Sequence, residues 1–151
     1  MTSKLLVERP ERVWVLVFAH GDEVISELTA FARQHGLGGT RFTAIGAFSD
    51  AVLGYFRWDT KQYEHIDVRE QVEVLSLAGD VAHADEGPKV HGHVVVGRAD
   101  GTAMGGHLLE AHVRPTLELV LTESPRALVR RYDPGTGLAL IDLGQTRPSA
   151  S

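Results

Sequence analysis

The sequence predicts an α+β fold in which a mainly antiparallel sheet carries one long helix and one short helix. Two observations support this class. Apolar runs rich in β-branched and aromatic residues follow one another along most of the chain, as the strands of a sheet do. A long run of apolar residues at helical spacing occurs at one place. Successive strands with few helices between them favour antiparallel pairing.

The first strand and the long helix are predicted near the start of the chain. The run VWVLVFAH, residues 13–20, has the composition of a buried strand, and we expect it at the centre of the sheet. Residues 21–36 then place apolar side chains on one helical face, at Val24, Ile25, Leu28, Phe31 and Ala32. Asp22 is suited to cap the start of this helix, and Gly36 is suited to end it.

The middle of the chain is predicted to form hairpins. Residues 41–58 have the pattern of strands interrupted at Gly46 and Gly54, and the turn residues DTKQ lead to a further strand over residues 62–68. An apolar strand over residues 71–82 comes next. The polar stretch HADEGPK then separates this strand from a hairpin rich in histidine.

The last elements predicted are a strand, the short helix and a final strand. Residues 114–123, RPTLELVLTE, alternate as a strand does. The short helix is expected to begin near Pro125, after a cap at Ser124, and to end at the Pro-Gly pair that starts with Pro134. The apolar run LALIDL, residues 138–143, then predicts the last strand.

The organisation of the chain predicts a single domain. We see no internal repeat, low-complexity segment or linker, and we divide the chain into an N-terminal extension (residues 1–12), a domain (residues 13–143) and a flexible C-terminal tail (residues 144–151). The first residues lack the pattern of a signal peptide, and no run reaches the roughly 18 to 20 apolar residues of a membrane span. A cytoplasmic protein without a membrane partner is expected.

Composition narrows the chemistry. The chain has no cysteine, so disulfides, thiolate metal sites and cysteine nucleophiles are excluded, and a metal would need histidine or carboxylate ligands. The formal net charge of -5 opposes a general attraction to phosphate backbones. The compact basic group Arg126, Arg130 and Arg131 is interpreted as a solvated helix face.

The histidine-rich hairpin contains the main candidate site. Residues two apart on a strand project to the same face, so His91 and His93 share one side. If residues 99–101 form a three-residue turn with a left-handed Gly101, the strand register places His93 opposite His107. The three imidazoles then lie together.

A second turn is compatible with the same sequence. If Asp100 and Gly101 form a two-residue turn, His107 opposes Val94 and points to the other face. The three-histidine site therefore depends on the register. In the favourable register it could bind zinc or another divalent metal and leave a coordination position open, and the alternative is a polar face or subunit contact without metal.

Several segments, in order, resemble the plants and prokaryotes conserved (PPC) domain, of the stand-alone prokaryotic type. They are AIGAFSDAVLGYF, EVLSLAGDVA, PKVHGHVVVGRADGTAMGGHLLEAHV and TLELVL, and the resemblance covers residues 13–143. The resemblance implies a mainly antiparallel α+β fold, a homotrimer, and a match of His91, His93 and His107 to the family's histidine pattern, with possible metal binding.

The resemblance also bears on partners. Plant PPC domains follow AT-hook motifs and associate with themselves and with transcription factors. This chain has no AT-hook sequence such as Arg-Gly-Arg-Pro, which makes direct binding to nucleic acid doubtful. The plant partner-contacting segment matches residues 70–75 here only at Glu73 and Leu75, so we do not carry over its protein partners.

Three functional hypotheses follow. The first is a small homotrimeric binding or regulatory protein with a histidine cluster that holds a metal and with a DNA- or transcription-associated role. The alternative is a metal-dependent enzyme acting on a small molecule; its general base is missing, because Glu110 alternates to the face opposite His107 unless a bulge intervenes. The third is direct DNA binding by the trimer. No catalytic residue and no organic cofactor are assigned.

Overall fold

The computed structural model describes the backbone of residues 1–7 and 11–144, and this part of the chain contains one helix and nine strands. Helix α1 is Val24–His35. The strands are β1 Thr2–Val7, β2 Val13–Phe18, β3 Gly39–Arg57, β4 Gln62–Val68, β5 Val72–Ala84, β6 Gly87–Gly97, β7 Ala103–Glu123, β8 Arg130–Asp133 and β9 Leu138–Ile141. Of the tail predicted at residues 144–151, residues 145–151 lie outside the described residues.

Seven strands form one sheet in the order β1-β2-β7-β6-β5-β3-β4, and every neighbouring pair is antiparallel. Strand β3 also pairs with β7, so β3, β5, β6 and β7 form a closed circuit. Strands β8 and β9 form a separate two-stranded sheet. The predicted class, α+β with a mainly antiparallel sheet, is confirmed.

Strands β3 and β7 are unusually long, at 19 and 21 residues, and they organise the sheet. The sequence predicted interruptions at Gly46 and Gly54, but β3 continues through both. Its register shifts on both sides near Gly46, and such a bulge bends a strand while pairing continues. Gly46 has φ 152°, and a Cβ there would lie 2.3 Å from the Thr116 carbonyl oxygen on β7. This close approach of two backbones requires glycine.

The core lies between the inner face of the sheet and α1. Alternate residues of the strands point inward, as Leu16 and Phe18 do on β2 and Leu117, Leu119 and Leu121 do on β7. The helix contributes its predicted apolar face, and its buried members are Val24, Leu28, Phe31 and Ala32. The helix contacts β6 and β7, so it covers the two strands that carry the histidine-rich hairpin.

The ends of α1 confirm one predicted cap and correct the other. Gly36 ends the helix in the left-handed conformation, as predicted. The N-cap is Glu23, whose carboxylate accepts from the backbone N–H groups of Ile25 and Ser26 at 3.0 and 2.7 Å. Asp22 was predicted in this role, but its carboxylate accepts instead from the backbone N–H of Ala19 and contacts the N-terminal ammonium group.

The predicted short helix is wrong. Residues 124–129 contain no helix, and two of their backbone N–H groups are committed to the start of β3: Ser124 donates to Gly39 at 2.7 Å and Leu128 donates to Gly38 at 2.8 Å. In a helix capped by Ser124, the Leu128 N–H would donate to the Ser124 carbonyl, so its bond to Gly38 is incompatible with that helix. The last predicted strand is confirmed as β9, Leu138–Ile141, which pairs with β8.

The first predicted strand is buried but not central. Strand β2 lies between β1 and β7, next to the end of the sheet order, because residues 2–7 of the predicted N-terminal extension form a strand that pairs with it. Its inward side chains belong to the common core, where Trp14 packs edge-on to Phe31 of α1 with ring centroids 5.2 Å apart. No helix in the described part of the chain is long and apolar enough to cross a membrane.

Candidate metal centre

The hairpin of β6 and β7 places two histidines directly opposite each other. His93 pairs with His107 in the strand register. The backbone N–H of Arg98 donates to the carbonyl of Thr102 at 2.8 Å, and Gly101 is left-handed with φ 83°. The connection is therefore the three-residue turn. The favourable register is confirmed, and the two-residue alternative is wrong.

The three imidazoles form one cluster. Ring centroids are 5.2 Å apart for His91 and His93, 5.1 Å for His91 and His107, and 5.3 Å for His93 and His107. One ring nitrogen from each residue lies within 4.8 Å of the other two. Strand alternation brings the first two residues together, and the cross-strand pair adds the third.

His107 is the most enclosed member of the cluster. Its ring packs against Tyr63 of β4, with centroids 4.7 Å apart, and its Nδ1 is buried without a hydrogen-bond partner among the described residues. Burial, the largest cause, and the neighbouring His91 and His93 together lower the pKa of His107 to about 4. The imidazole is therefore neutral near pH 7.

His93 follows the same trend. Burial lowers the pKa of His93, and the nearby His91 adds to this effect. A neutral imidazole has one nitrogen without a proton, and that nitrogen can bind a metal ion. The environment of the cluster thus favours the form of histidine that acts as a ligand.

A carboxylate and a guanidinium lie beside His91. Its Nδ1 is 3.4 Å from Oδ2 of Asp80 and 3.1 Å from Nη2 of Arg130. The same Nη2 donates to both oxygens of Asp80, at 2.8 and 2.9 Å. Burial would raise the pKa of Asp80, but hydrogen bonds from His91 and Arg130 outweigh it and hold this pKa below its ordinary value. Asp80 therefore stays ionised and can hold the His91 ring in place.

A comparison with protein families identifies the domain. The model of the Plants and Prokaryotes Conserved (PCC) domain, also written PPC, matches residues 6–125. The chain belongs to this family. The resemblance inferred from the sequence segments is confirmed, and β8 and β9 lie beyond the matched region of the PPC domain.

A curated relative of this PPC chain is much longer than the chain itself. The bifunctional protein GlmU of Synechococcus sp. (strain JA-3-3Ab) is 35% identical over 129 residues, which are 83% of the chain and 20% of GlmU. The chain spans about a fifth of the length of the curated relatives that it matches. The similarity therefore concerns one part of the longer proteins.

Solved structures share the fold over nearly their whole length. A metal-containing protein from Archaeoglobus fulgidus is 33% identical, with a TM-score of 0.80, and the match covers 93% of this chain and 98% of that one. A candidate DNA-binding protein from Bacteroides thetaiotaomicron is 29% identical, with a TM-score of 0.84, and the match covers 95% and 99% of the two chains.

The residues of the PPC cluster fit a zinc-like ion in donor type and number. Three imidazoles and one open position are a common ligand set for zinc. Nitrogens bound to one tetrahedral zinc ion lie roughly 3.3 Å apart, so the ring nitrogens, now within 4.8 Å, need only side-chain adjustment to bind one ion. Coordination could also give the buried Nδ1 of His107 the partner that it lacks among the described residues.

Two residues of the site, Arg130 and Asp80, were not predicted from the sequence. Arg130 was grouped with Arg126 and Arg131 as a solvated helix face, which is wrong: no helix forms there, and the side chain of Arg130 is only 7% exposed. Arg131 does face solvent, where it pairs with Asp142. The second missed residue is Asp80. Its one signal in the sequence is the position of an acidic residue within the apolar run LAGDVA.

The remaining histidines lie away from the cluster. His112 forms a 2.8 Å hydrogen bond with Asp50 on the neighbouring strand β3, and this bond raises the pKa of His112. His35 packs at the end of α1 against the rings of Trp14 and Phe31, with centroid distances of 4.5 and 4.4 Å. These contacts explain both residues without a role in metal binding.

The bulge on which the enzymatic alternative depended does occur. The register of β7 shifts against β3 between Leu108 and Glu110, and Glu110 is exposed. The charge of Glu110 acts on His112, where it adds to the larger effect of Asp50. The carboxylate that contacts the cluster is Asp80, which its pair with Arg130 keeps from serving as a free base.

Proposed function

We propose that this PPC-domain chain is a homotrimeric binding and regulatory module whose histidine cluster holds a divalent transition metal such as zinc. The proposal rests first on the convergence of one ring nitrogen each from His91, His93 and His107 within 4.8 Å. It is supported by the similarity to the metal-containing Archaeoglobus protein. A zinc ion bound there would supply a Lewis acid with one position open to an outside ligand.

The chain's own residues would prepare this site before a metal arrives. Rigid strands carry the ligands, which limits the ordering that binding requires. In the tautomer with its proton on Nδ1, His91 donates to Asp80 and leaves Nε2 free to coordinate, as histidine ligands paired with carboxylates commonly do. Tyr63 packs on His107 and restricts its ring.

An apolar outer surface of the sheet supports the proposed trimer. Ile45, Leu75 and Val120 line one shallow groove and are 62%, 56% and 46% exposed. Val95, on the strand paired with β5, is 43% exposed and extends this surface. We name these four residues the outer apolar patch. Burial against other copies of the chain removes such a surface from water.

A transcription-associated role is part of the proposal, and its support is the similarity to the candidate DNA-binding protein from Bacteroides. The net charge of -5 disfavours direct contact with DNA. We therefore expect association through a protein partner. A gel-shift assay at low salt should show no binding of this chain to duplex DNA, and a shift that weakens as salt is added would contradict this expectation.

The metal is tested by elemental analysis of protein purified without a tag. The wild type is expected to contain about one zinc or similar ion per chain. The double variant His93→Ala/His107→Ala removes two of three ligands and should contain none.

A matched double variant controls for general histidine loss. His20→Ala/His65→Ala removes two exposed histidines outside the cluster and should keep the wild-type metal content. Circular dichroism of all three proteins checks that they are folded. Equal metal content in the two double variants, or folded wild type that stays metal-free after dialysis against zinc, would refute the metal site.

A further inference from the structure

A cavity of about 470 Å³ lies beside the histidine cluster, between α1, the β5–β6 turn and the β8–β9 hairpin. Its volume is in the range of sites for small molecules. Arg130 connects the two places, because it lines the cavity and its Nη2 lies 3.1 Å from Nδ1 of His91. Side chains such as Ile25 and Val90 form the apolar part of the wall of the cavity.

Arg130 has a donor that nothing in the described residues satisfies. Its Nη2 donates to Asp80 and its Nη1 donates to the carbonyl of Ala139 at 3.1 Å. Its Nε is buried without a partner among the described residues, in a side chain that is 7% exposed. A buried donor without an acceptor costs free energy, but Nε is closed to solvent, so a ligand would reach it only if the Arg130 side chain moved. As the side chain stands, Arg130 contributes a cationic group to the wall of the cavity.

Two further cations line the cavity. Lys89 lies on β6, two residues before His91, and Arg33 lies on the last turn of α1. Both are exposed, and in the described ranges 1–7 and 11–144 no carboxylate lies within ion-pair distance of either. Unpaired cations around a concave site attract anions.

The acidic residues of the cavity restrict the kind of anion. Asp85 and Glu86 form the β5–β6 turn and are exposed, so water and salt screen their repulsion. Their oxygens can accept hydrogen bonds from hydroxyl or amino groups. A ligand that satisfies both ends would carry an anionic oxygen for Arg130 and Lys89 and a donor group for the turn.

We propose that this cavity binds a small organic anion bearing hydroxyl or amino groups, with the anionic group held by Arg130, Lys89 and Arg33. The assignment goes beyond metal binding and does not require the metal. The volume of about 470 Å³ and the three cationic side chains in its wall distinguish this cavity from a shallow surface groove.

The test is a titration of metal-free, isotopically labelled full chain followed by amide resonances in nuclear magnetic resonance spectra. Malate, a hydroxylated dicarboxylate, and inorganic phosphate serve as anionic probes, and glucose serves as an uncharged control. Malate should bind saturably and shift resonances of residues 84–90 and of Thr29 in α1. Glucose should not.

Variants separate specific recognition from general charge. Lys89→Gln and Arg33→Gln change exposed side chains, so the fold should be kept, and each should weaken malate binding about tenfold by removing one charge-assisted contact. Arg131→Gln is the matched control, because it removes one positive charge from β8 outside the cavity. Its affinity for malate should equal that of the wild type.

Saturable binding of malate that depends on Lys89 and Arg33 but not on Arg131 would support the proposal. Binding of phosphate alone with the same dependence would assign the site to phosphate-bearing anions and would support it as well. No saturable shift with either anion at millimolar concentration would overturn the proposal, as would equal weakening by all three variants. These outcomes do not depend on metal content, so they are separate from the test of the zinc site.

Discussion

The carboxylate of Asp80 joins the two halves of the candidate site. It contacts His91 on the neighbouring strand β6 and Arg130 on β8, fifty residues away. Three histidines in one hairpin could be predicted from strand periodicity and turn length. The contact between Asp80 on β5 and Arg130 on β8 could not be predicted, because no local pattern reports which distant cation a partly buried carboxylate meets.

We expect Asp80→Asn to destabilise the fold by about 2–3 kcal/mol. The substitution removes the charge that compensates a guanidinium held 93% out of solvent, and hydrogen bonds to charged groups contribute about 1.5–3 kcal/mol. Chemical denaturation of metal-free protein measures the change in the free energy of unfolding.

Asp142→Asn provides the comparison for this variant. It removes the partner of Arg131, whose side chain is 53% exposed, and surface pairs contribute about 0–1 kcal/mol. Equal effects of the two substitutions would show that Arg130 is not buried in solution as described.

The pair of His112 and Asp50 predicts a pH dependence of stability. The hydrogen bond with Asp50 raises the pKa of His112 above its ordinary value of 6.5, with smaller contributions from Glu110 and Glu23. The pKa of Asp50 is held below 3.8, first by its hydrogen bond with Ser49. The pair therefore stabilises the fold most between about pH 4 and 6.5, and its contribution is lost as pH rises through the folded pKa of His112 or falls through that of Asp50.

His112→Gln should lower the free energy of unfolding by less than about 1 kcal/mol in this window, since the pair is partly exposed and screened by water. The loss relative to wild type should shrink above neutral pH. Urea denaturation at several pH values measures it. His65→Gln, at an exposed position of β4, should show no such profile, and a constant difference for His112→Gln across pH would contradict the charge pair.

At the scale of elements, the strands were predictable and the connections to the C-terminal part were not. Alternation and turn residues indicated β4, β5 and the β6–β7 hairpin close to their observed bounds. The segment after β7 has the start and stop signals of a helix. Tertiary hydrogen bonds to Gly38 and Gly39 take up its backbone donors instead, and sequence alone does not show that competition.

The continuity of β3 through Gly46 yields a prediction at this scale. Gly46→Ala should destabilise the fold by on the order of 1–3 kcal/mol, because the added methyl group meets the Thr116 carbonyl oxygen and the φ of 152° disfavours a side chain. Thermal and urea denaturation measure the loss.

Gly101→Ala separates these two causes. Gly101 also has a positive φ, of 83°, but a Cβ there would meet nothing within 4 Å. Its substitution should cost about 1 kcal/mol, from backbone conformation alone. A larger cost at Gly101 than at Gly46 would argue against the close approach of β3 and β7.

At the scale of the whole molecule, an apolar surface on the outside of the large sheet is left exposed in the single chain. The outer apolar patch is an exposed part of a sheet whose inner face forms the core. We expect Ile45→Glu to convert the proposed trimer to a monomer, because a buried interface would have to accommodate an unpaired charge.

Light scattering coupled to size-exclusion chromatography reports the molar mass directly. Leu143→Glu is the control, since Leu143 is 84% exposed outside the outer apolar patch, and it should leave the mass unchanged. A wild-type monomer, or a trimer that survives Ile45→Glu, would exclude this patch as the subunit contact.

The edge strands of the large sheet determine how copies of the protein would misassemble. Strands with an unpaired side recruit strands from other molecules, and in the large sheet, over the described residues, such sides belong to β1 and β4. Strand β4 has two acidic residues, Glu64 and Asp67, in seven residues, and charges of this kind discourage strand addition. Fibril growth or domain swapping by strand exchange would accordingly be expected to start at β1, whose six residues include one charged residue, Lys4.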